Sequence, residues 1–219
     1  MSFISVTGKN WKFRSFDNTD IKKYSENYSL SQIAAKLLAI RKNHIDDINL
    51  FLNPSIKNLL PNPNILKDMK SAVDRTFECI KKDEVIGIFG DYDVDGATST
   101  ALLAKYFVSI KRKIQSYIPD RKKEGYGPNI NGFKHLIKSK AKIIFTVDCG
   151  TLSFKPIKAA QDQGVDVIVL DHHQSDVKLP NAFAIVNPNR FDDKSNLNYL
   201  CAAGVCFMYL VALNKKLRD

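Results

Sequence analysis

The chain has 219 residues, of which 44% are hydrophobic and 26% charged, so it can bury a sizeable core and is neither low-complexity nor fibrous. Its formal net charge of +10 favours a polyanionic partner such as nucleic acid. The four cysteines lack Cys-x-x-Cys spacing, and residues 1–14 lack the apolar core of a secretory signal. These features argue against a disulfide scaffold and a secreted protein, so we expect a cytoplasmic one.

The first part of the chain is predicted to be helical. Apolar residues recur at helical spacing over 29–38, a second short helix is predicted over 46–51, and a longer one over 66–81. Three prolines between residues 53 and 64 indicate an irregular connection. We assign residues 1–80 to a small helical N-terminal region.

From residue 85 onward, short apolar runs alternate with helical stretches. The runs cover 85–89, 114–118, 143–147, 165–170 and 182–186. The predicted helices cover 97–110, 130–138 and 154–163, and the apolar stretch at 199–213 suits a buried helix rather than a membrane span. This alternation predicts an α/β domain over 81–219, built on a parallel, doubly wound five-stranded sheet.

Acidic residues and histidines follow three of these runs. They are Asp91, Asp93 and Asp95 after the first, Asp148 after the third, and Asp171-His172-His173 after the fourth. Parallel strands bring their carboxyl ends to one edge of the sheet, where ligands bind. If the first strand stays extended through residue 95, its three aspartates share one face. Clustered carboxylates repel each other, and a divalent cation relieves that repulsion by taking several oxygen ligands. A solvated acidic turn is the alternative explanation of the first cluster.

The motifs around these residues resemble the DHH phosphoesterase superfamily, whose signature tripeptide stands here at 171–173. They include Gly-Asp-Tyr-Asp-Val-Asp-Gly at 90–96, Glu-Gly-Tyr-Gly at 124–127 and Thr-Val-Asp-Cys-Gly at 146–150. Within the superfamily the chain is similar to the RecJ branch of single-strand-specific 5′-to-3′ DNA exonucleases, from about residue 30 to its end. The resemblance implies phosphodiester hydrolysis in single-stranded DNA, in DNA repair and recombination.

The resemblance also implies a role for each residue of the predicted site. The implied metal ligands are Asp91, Asp93, Asp95, Asp148 and His172, of which Asp148 bridges two ions. The implied catalytic residues are His173, near the scissile phosphate, and Asp171, which orients the histidines. Carboxylates with imidazole suit two Mn²⁺ or Mg²⁺ ions better than zinc, and two such ions can activate water and clamp a phosphate.

A basic run at 121–123 precedes a tyrosine bracketed by glycines, and this segment supplies the predicted substrate contacts Arg121, Tyr126 and Gly127. A guanidinium can bind phosphate through two hydrogen bonds, and an aromatic ring can stack on an unpaired base. The resemblance implies that this segment lines the groove for single-stranded DNA. The alternative is a solvated basic turn with the tyrosine packed beneath it.

Two other functional classes stay open. The first is a phosphodiesterase for oligonucleotides or cyclic dinucleotides, or a pyrophosphatase; those branches usually carry a histidine where this chain has Asp91. The second is a non-catalytic nucleic-acid-binding module. The fourth metal-binding motif and the later domains of the superfamily do not occur before residue 219. We therefore expect a truncated chain with little exonuclease activity by itself, with DNA-repair proteins as candidate partners and no membrane association.

Overall fold

A computed structural model describes residues 2–12, 14–41 and 45–219 of the chain. These described residues belong to two compact units, Met1–Leu60 and Pro61–Asp219. The boundary predicted from the sequence lies between residues 80 and 81. The structure instead places 61–80 in the second unit, because the helix in this stretch packs on the sheet and buries Met69 and Val73.

Within the described part of the first unit, a β-hairpin precedes short helices. The hairpin pairs β1 (Ser2–Ile4) with β2 (Asn10–Lys12) in antiparallel fashion. The helices are α1 (Asn18–Tyr28), α2 (Gln32–Arg41), α3 (Ile48–Leu52) and α4 (Ile56–Leu59). Helices α2 and α3 confirm the two short helices predicted in this region. The hairpin and α1 were not predicted, because no regular apolar spacing marks them.

The second unit begins with a 3₁₀ turn (Pro63–Ile65) and α5 (Met69–Lys81). Its strands are β3 (Val85–Gly90), β4 (Ile114–Tyr117), β5 (Ala141–Val147), β6 (Asp166–Leu170) and β7 (Ala184–Val186). Its other helices are α6 (Val94–Ser109), α7 (Arg121–Glu124), α8 (Ile130–Lys138), α9 (Phe154–Gln161) and α10 (Ala202–Arg218). Each strand overlaps one of the predicted apolar runs.

The strands described in this unit form one parallel sheet in the order β4-β3-β5-β6-β7, with helices on both faces. Successive residues of β5 show this, because their side chains point to opposite faces. Ile144 packs in a cluster with residues of α8 and α9. The ring of Phe145 lies 5.6 Å from that of Phe107 on α6 and 5.4 Å from that of Tyr209 on α10. The predicted doubly wound α/β sheet is confirmed.

The strand order creates a topological switch point between β3 and β5. From β3 the chain crosses to β4 on one side, then returns to β5 on the other side of β3. Connections that leave neighbouring strands in opposite directions open a crevice at the carboxyl ends of those strands. The residues after β3 and β5 therefore flank this crevice.

The aspartate-rich segment after β3 is helical rather than extended at its far end. Strand β3 ends at Gly90 and α6 begins at Val94, so Asp95 lies in the first helical turn. The condition for a shared strand face is therefore not met. The predicted helix at 199–213 corresponds to α10, although its bounds differ. No helix in the described part of the chain has the length and apolar character needed to cross a bilayer.

Candidate metal centre

Buried polar residues form a row along the carboxyl edge of the sheet. The last residues of four neighbouring strands lie side by side in the sheet register. In the order β3, β5, β6 and β7, they are Gly90, Val147, Leu170 and Val186. The residues that follow these four are Asp91, Asp148, Asp171 and Asn187, each at most 2% exposed. Three acidic side chains from neighbouring strands thus lie at one edge of the sheet, and two of them, Asp91 and Asp148, flank the crevice.

The turn between β3 and α6 is held by its own aspartates. Asp91 Oδ1 accepts a hydrogen bond from the Tyr92 N–H (2.8 Å), and Asp93 Oδ1 accepts one from the Gly96 N–H (2.9 Å). Asp93 is thereby the N-cap of α6. A Cβ atom at Gly96 would lie 2.6 Å from the Asp91 carbonyl oxygen. Glycine at this position is therefore what lets the helix begin so close to the end of the strand.

The first donor group consists of Asp91, Asp93 and Asp148. Each offers one carboxylate oxygen, and these oxygens lie within 4.8 Å of one another. Burial and the nearby charge of Asp93 raise the pKa of Asp91, whereas the hydrogen bond from Gly96 holds the pKa of Asp93 below its usual range. Converging carboxylate oxygens are the ligands that hard divalent cations prefer.

The second donor group joins Asp148 to His172 and His173, again with ligand atoms within 4.8 Å of one another. Nε2 of His172 lies 3.2 Å from Asp148 Oδ1. Nδ1 of His173 lies 3.9 Å from the same oxygen but only 2.7 Å from Asp171 Oδ1. His172 therefore faces the central carboxylate directly, while His173 is already held by another partner.

Asp148 belongs to both groups and is poorly accommodated as a bare anion. Its φ of +58° lies in the left-handed region, which is sparsely populated by residues other than glycine. Oδ1 is buried and, among the described residues, has no hydrogen-bond partner. Burial, followed by the charges of Asp95 and Asp93, raises the pKa of Asp148 to about 8. A divalent cation fits this site because it offsets the repulsion and occupies the free oxygen.

Asp171 holds the histidine segment rather than joining either donor group. Its Oδ1 accepts hydrogen bonds from the N–H groups of His172 (2.8 Å) and His173 (3.2 Å) and from Nδ1 of His173. Its Oδ2 accepts bonds from the N–H (3.1 Å) and hydroxyl (2.6 Å) of Thr151. Burial raises the pKa of Asp171, but the hydrogen bonds from His173 and Thr151 outweigh it, so the pKa lies below its usual range. The hydrogen bond to Asp171 raises the pKa of His173 to about 9.

Asp95 is the predicted ligand that the structure does not bring into either group. Its two oxygens accept hydrogen bonds from the N–H groups of Ala202 (2.7 Å) and Ala203 (2.9 Å), in the first turn of α10. Asp95 Oδ2 is 3.6 Å from Nε2 of His172. In this structure the carboxylate of Asp95 therefore links the edge of the site to the final helix.

The predicted substrate residues lie beside the two donor groups. The Arg121 guanidinium stacks over the ring of Tyr92, 4.7 Å from its centroid. The exposed Tyr126 has its hydroxyl 3.3 Å from Nε2 of His173, and Gly127 next to it is buried with φ +79°. A cavity of about 630 Å³ is lined by Tyr126, Gly127 and His173, among others. These contacts place the tyrosine against the histidine segment rather than beneath a solvated turn.

Comparison with known proteins identifies the family. Residues 85–218 match the model of the DHH family, N-terminal domain. The chain belongs to the DHH family. The match covers β3 to β7, α6 to α10 and both donor groups, and it includes the Asp-His-His tripeptide at 171–173.

Single-strand-specific exonucleases are among the relatives of this DHH chain. The single-stranded-DNA-specific exonuclease RecJ of Bacillus subtilis is 34% identical over 210 residues, which are 95% of this chain and 27% of that protein. A crystal structure of Thermus thermophilus RecJ in complex with Mn²⁺ is similar with a TM-score of 0.70 and 26% identity, over 92% of this chain and 28% of that one. A crystal structure of an exonuclease RecJ bound to manganese gives a TM-score of 0.63 and 31% identity, over 69% and 38% of the two chains. The chain spans less than a third of the length of the curated relatives it matches.

Several residues that shape the DHH site were not predicted from the sequence. Thr151 binds Asp171, and Asn187 and Asn189 donate hydrogen bonds to the carbonyl oxygens of His173 and His172. The position of Asn187 at the sheet edge could have been predicted, because it directly follows an apolar run as several of the predicted ligands do. The contacts of Asn189 and Thr151 depend on the fold of two loops and had no such signal.

Proposed function

We propose that this chain is the metal-binding part of a RecJ-type exonuclease, which hydrolyses phosphodiester bonds of single-stranded DNA from the 5′ end. One observation carries the proposal: the buried Asp148 is shared by two donor groups at the switch point of the sheet. A carboxylate between two sets of ligands is the arrangement that a pair of divalent ions requires.

Four side chains would hold the ions, namely Asp91, Asp93, Asp148 and His172. Mn²⁺ or Mg²⁺ suits this set of carboxylates with one imidazole, and RecJ structures have been obtained with manganese or magnesium. The two ions, when bound, supply a nucleophilic water near neutral pH and neutralise charge on the phosphate. Asp95 stays a predicted ligand, since in the structure both of its oxygens accept hydrogen bonds from α10.

His173 would act on the substrate through a proton at Nε2. Asp171 accepts a hydrogen bond from Nδ1, and this bond raises the pKa of His173, which favours a protonated ring. Nε2–H then lies beside the Tyr126 hydroxyl, where it can donate to an oxygen of the scissile phosphate. Asp171 is too buried to reach substrate and serves to orient this ring.

The substrate contacts would come from the segment around α7. Arg121 is exposed and lies over Tyr92, so its guanidinium can bind a backbone phosphate. Tyr126 presents an exposed ring on which a base can stack. The net charge of +10 adds long-range attraction for DNA. The proposal includes a role in DNA repair and recombination in the cytoplasm.

A nuclease assay on matched variants tests the proposal. Single-stranded DNA labelled at its 5′ end is incubated with the chain and Mn²⁺, and nucleotide release is compared between wild type, Asp148→Ala and Asp162→Ala. Asp162 is an exposed carboxylate after α9, so its loss changes the net charge equally without touching the site. Because the chain spans less than a third of its relatives, the informative quantity is the ratio between variants.

We expect Mn²⁺-dependent release from the 5′ end that falls more than about 100-fold in Asp148→Ala, since even residues that only support metal ligands cost about 10- to 100-fold. Asp162→Ala should match wild type. Equal release by wild type and Asp148→Ala would contradict the proposal. Faster cleavage of a cyclic dinucleotide or of pyrophosphate than of DNA would assign the site to another branch of the family. Metal binding without any hydrolysis would favour a non-catalytic module.

A further inference from the structure

Asn187 is the fourth member of the buried row on the carboxyl edge, and it bears no charge. We infer that Asn187 and Thr151 form a positioning pair that fixes the backbone and ring orientation of His172-His173 and thereby sets the metal affinity of the site. Neither residue is a metal ligand in this account. The inference rests on the proposed metal site and assigns a role to two residues outside the donor groups.

The side chain of Asn187 has every hydrogen-bonding group in use. Its Nδ2 donates to Thr151 Oγ1 and to the carbonyl oxygen of His173, both at 2.9 Å. Its Oδ1 accepts a bond from the N–H of Asn189 at 2.8 Å. The residue is fully buried, so losing one of these partners would leave a polar group unpaired in the interior. An asparagine is needed because the position requires two donors and one acceptor.

Thr151 connects Asn187 to Asp171, which in turn binds the two histidines. Its hydroxyl accepts the bond from Asn187 and donates to Asp171 Oδ2 at 2.6 Å. The other oxygen of Asp171 receives both histidine N–H groups and Nδ1 of His173. The segment is thus held by Asp171 at its N–H groups and by Asn187 at the carbonyl oxygen of His173.

An ion pair behind the row fixes Asn187 in turn. The carbonyl oxygen of Asn187 accepts a bond from the N–H of Arg190 at 3.2 Å. The Arg190 guanidinium, itself buried, donates to Asp68 at 2.5 Å and to the carbonyl of Ile185 at 2.6 Å. Because Asp68 also accepts the Ile185 N–H, the residues on both sides of Asn187 are fastened to the start of α5. Because its backbone is fixed by these contacts, Asn187 can fix the positions of the residues to which it is hydrogen-bonded.

Two readouts test the positioning pair, with five variants. The first is Mn²⁺ affinity, measured by electron paramagnetic resonance on the whole chain. The second needs no metal: the NMR signal of the His173 Nδ1 proton, which the short bond to Asp171 shifts downfield. The variants are Asn187→Ala, Thr151→Val, Thr151→Ser, the double variant Asn187→Ala/Thr151→Val, and Asn198→Ala, an exposed asparagine of the same connection, as a control.

We expect Asn187→Ala and Thr151→Val each to weaken Mn²⁺ binding by about 10- to 100-fold, the usual effect of losing a residue that supports metal ligands. The double variant should be little worse than either single one, because both break the same chain of contacts. Thr151→Ser keeps the hydroxyl and should restore affinity, and Asn198→Ala should match wild type. The Nδ1 proton signal should move or vanish only in the variants that break the chain.

Folded Asn187→Ala and Thr151→Val proteins that bind Mn²⁺ within about twofold of wild type and keep the Nδ1 signal would overturn the inference. If Asn187→Ala fails to fold, the near-isosteric pair Thr151→Val and Thr151→Ser decides. If the wild-type chain binds no Mn²⁺, the proposed function fails, and the Nδ1 signal alone then supports or overturns the positioning role.

Discussion

The carboxylate of Asp95 accepts hydrogen bonds from the N–H groups of Ala202 and Ala203, and so caps α10 across more than one hundred residues of sequence. A side-chain cap of this kind is worth about 1 kcal/mol. Asp95→Ala should therefore open the first turn of α10 and speed amide hydrogen exchange at Ala202 and Ala203 by about fivefold or more. The measurement is made with a chelator present, so that metal loss does not contribute. Unchanged exchange at both amides, equal to that of an Asp162→Ala control, would contradict the capping role.

A second prediction concerns the stability of the metal-free chain, which the charged carboxylate of Asp148 lowers. Asn at position 148 removes the charge, and asparagine tolerates the left-handed backbone found there. Because burial and neighbouring carboxylates disfavour the charged form of Asp148, Asp148→Asn should stabilise the metal-free chain by at least about 1 kcal/mol. The melting temperature should rise by about 2–4 °C per kcal/mol, while the further rise on adding Mn²⁺ disappears. A lower melting temperature without metal, or a retained response to Mn²⁺, would count against this account.

A third prediction concerns the segment that presents Arg121 and Tyr126. Glu124 ties its ends together, because its carboxylate accepts bonds from the Tyr117 hydroxyl (2.6 Å), the Asp120 N–H (2.8 Å) and the Asn129 amide (3.1 Å). The bond from Tyr117 lowers the pKa of Glu124. Glu124 is thus engaged with its own segment rather than available to substrate.

Removing Glu124 should weaken DNA binding although it removes a negative charge. Charge alone would make Glu124→Ala bind polyanionic DNA more tightly. Loss of the three bonds should instead release the segment and raise the Kd for single-stranded DNA by about three- to tenfold in fluorescence anisotropy. Glu78→Ala, an exposed carboxylate of α5, supplies the same change in charge. Binding by Glu124→Ala as tight as that of the Glu78→Ala control would refute the positioning argument.

Acid sensitivity gives a fourth prediction. Hydrogen bonds from Arg190 and then Lys67 hold the pKa of Asp192 at about 2, below its value near 4 in an unfolded chain. The unfolded chain therefore binds the proton more readily, so this pair stabilises the fold above pH 4 and the stabilisation is lost as the pH falls toward 2.

Because Asp192 is about half exposed, the contribution is less than about 1 kcal/mol. Between pH 4 and pH 2, Asp192→Asn should lose less free energy of unfolding than wild type does, whereas Asp176→Asn, at an exposed position, should follow wild type. Parallel curves for wild type and Asp192→Asn would disprove the contribution.

The sheet and the edge that carries the site could be predicted because both depend on local patterns. Apolar runs mark the strands, and parallel strands align their carboxyl ends, so Asp91, Asp148 and Asp171 had to lie at one edge. Asp95 could not be assigned in the same way. Its direction depends on where α6 begins, and its partners, Ala202 and Ala203, are distant in sequence.

The contacts of Asn187 and Glu124, which support the site, could not be predicted from the sequence for a related reason. Asn187 joins the row only because β7 pairs with β6 in the register that sets Val186 beside Leu170. Glu124 closes its segment through three partners that no spacing rule connects. Residues that hold a site in place act through contacts between distant parts of the chain, which become visible only once the fold is known.

We propose that two divalent ions share the carboxylate of Asp148. The most direct test is a crystal of this chain soaked in Mn²⁺, with data collected where manganese scatters anomalously. We expect two anomalous peaks about 3.5–4 Å apart, both in contact with the Asp148 carboxylate, one toward Asp91 and Asp93 and the other toward His172. No peak at Asp148 in a fully soaked crystal, or peaks whose ligands do not include it, would contradict the account.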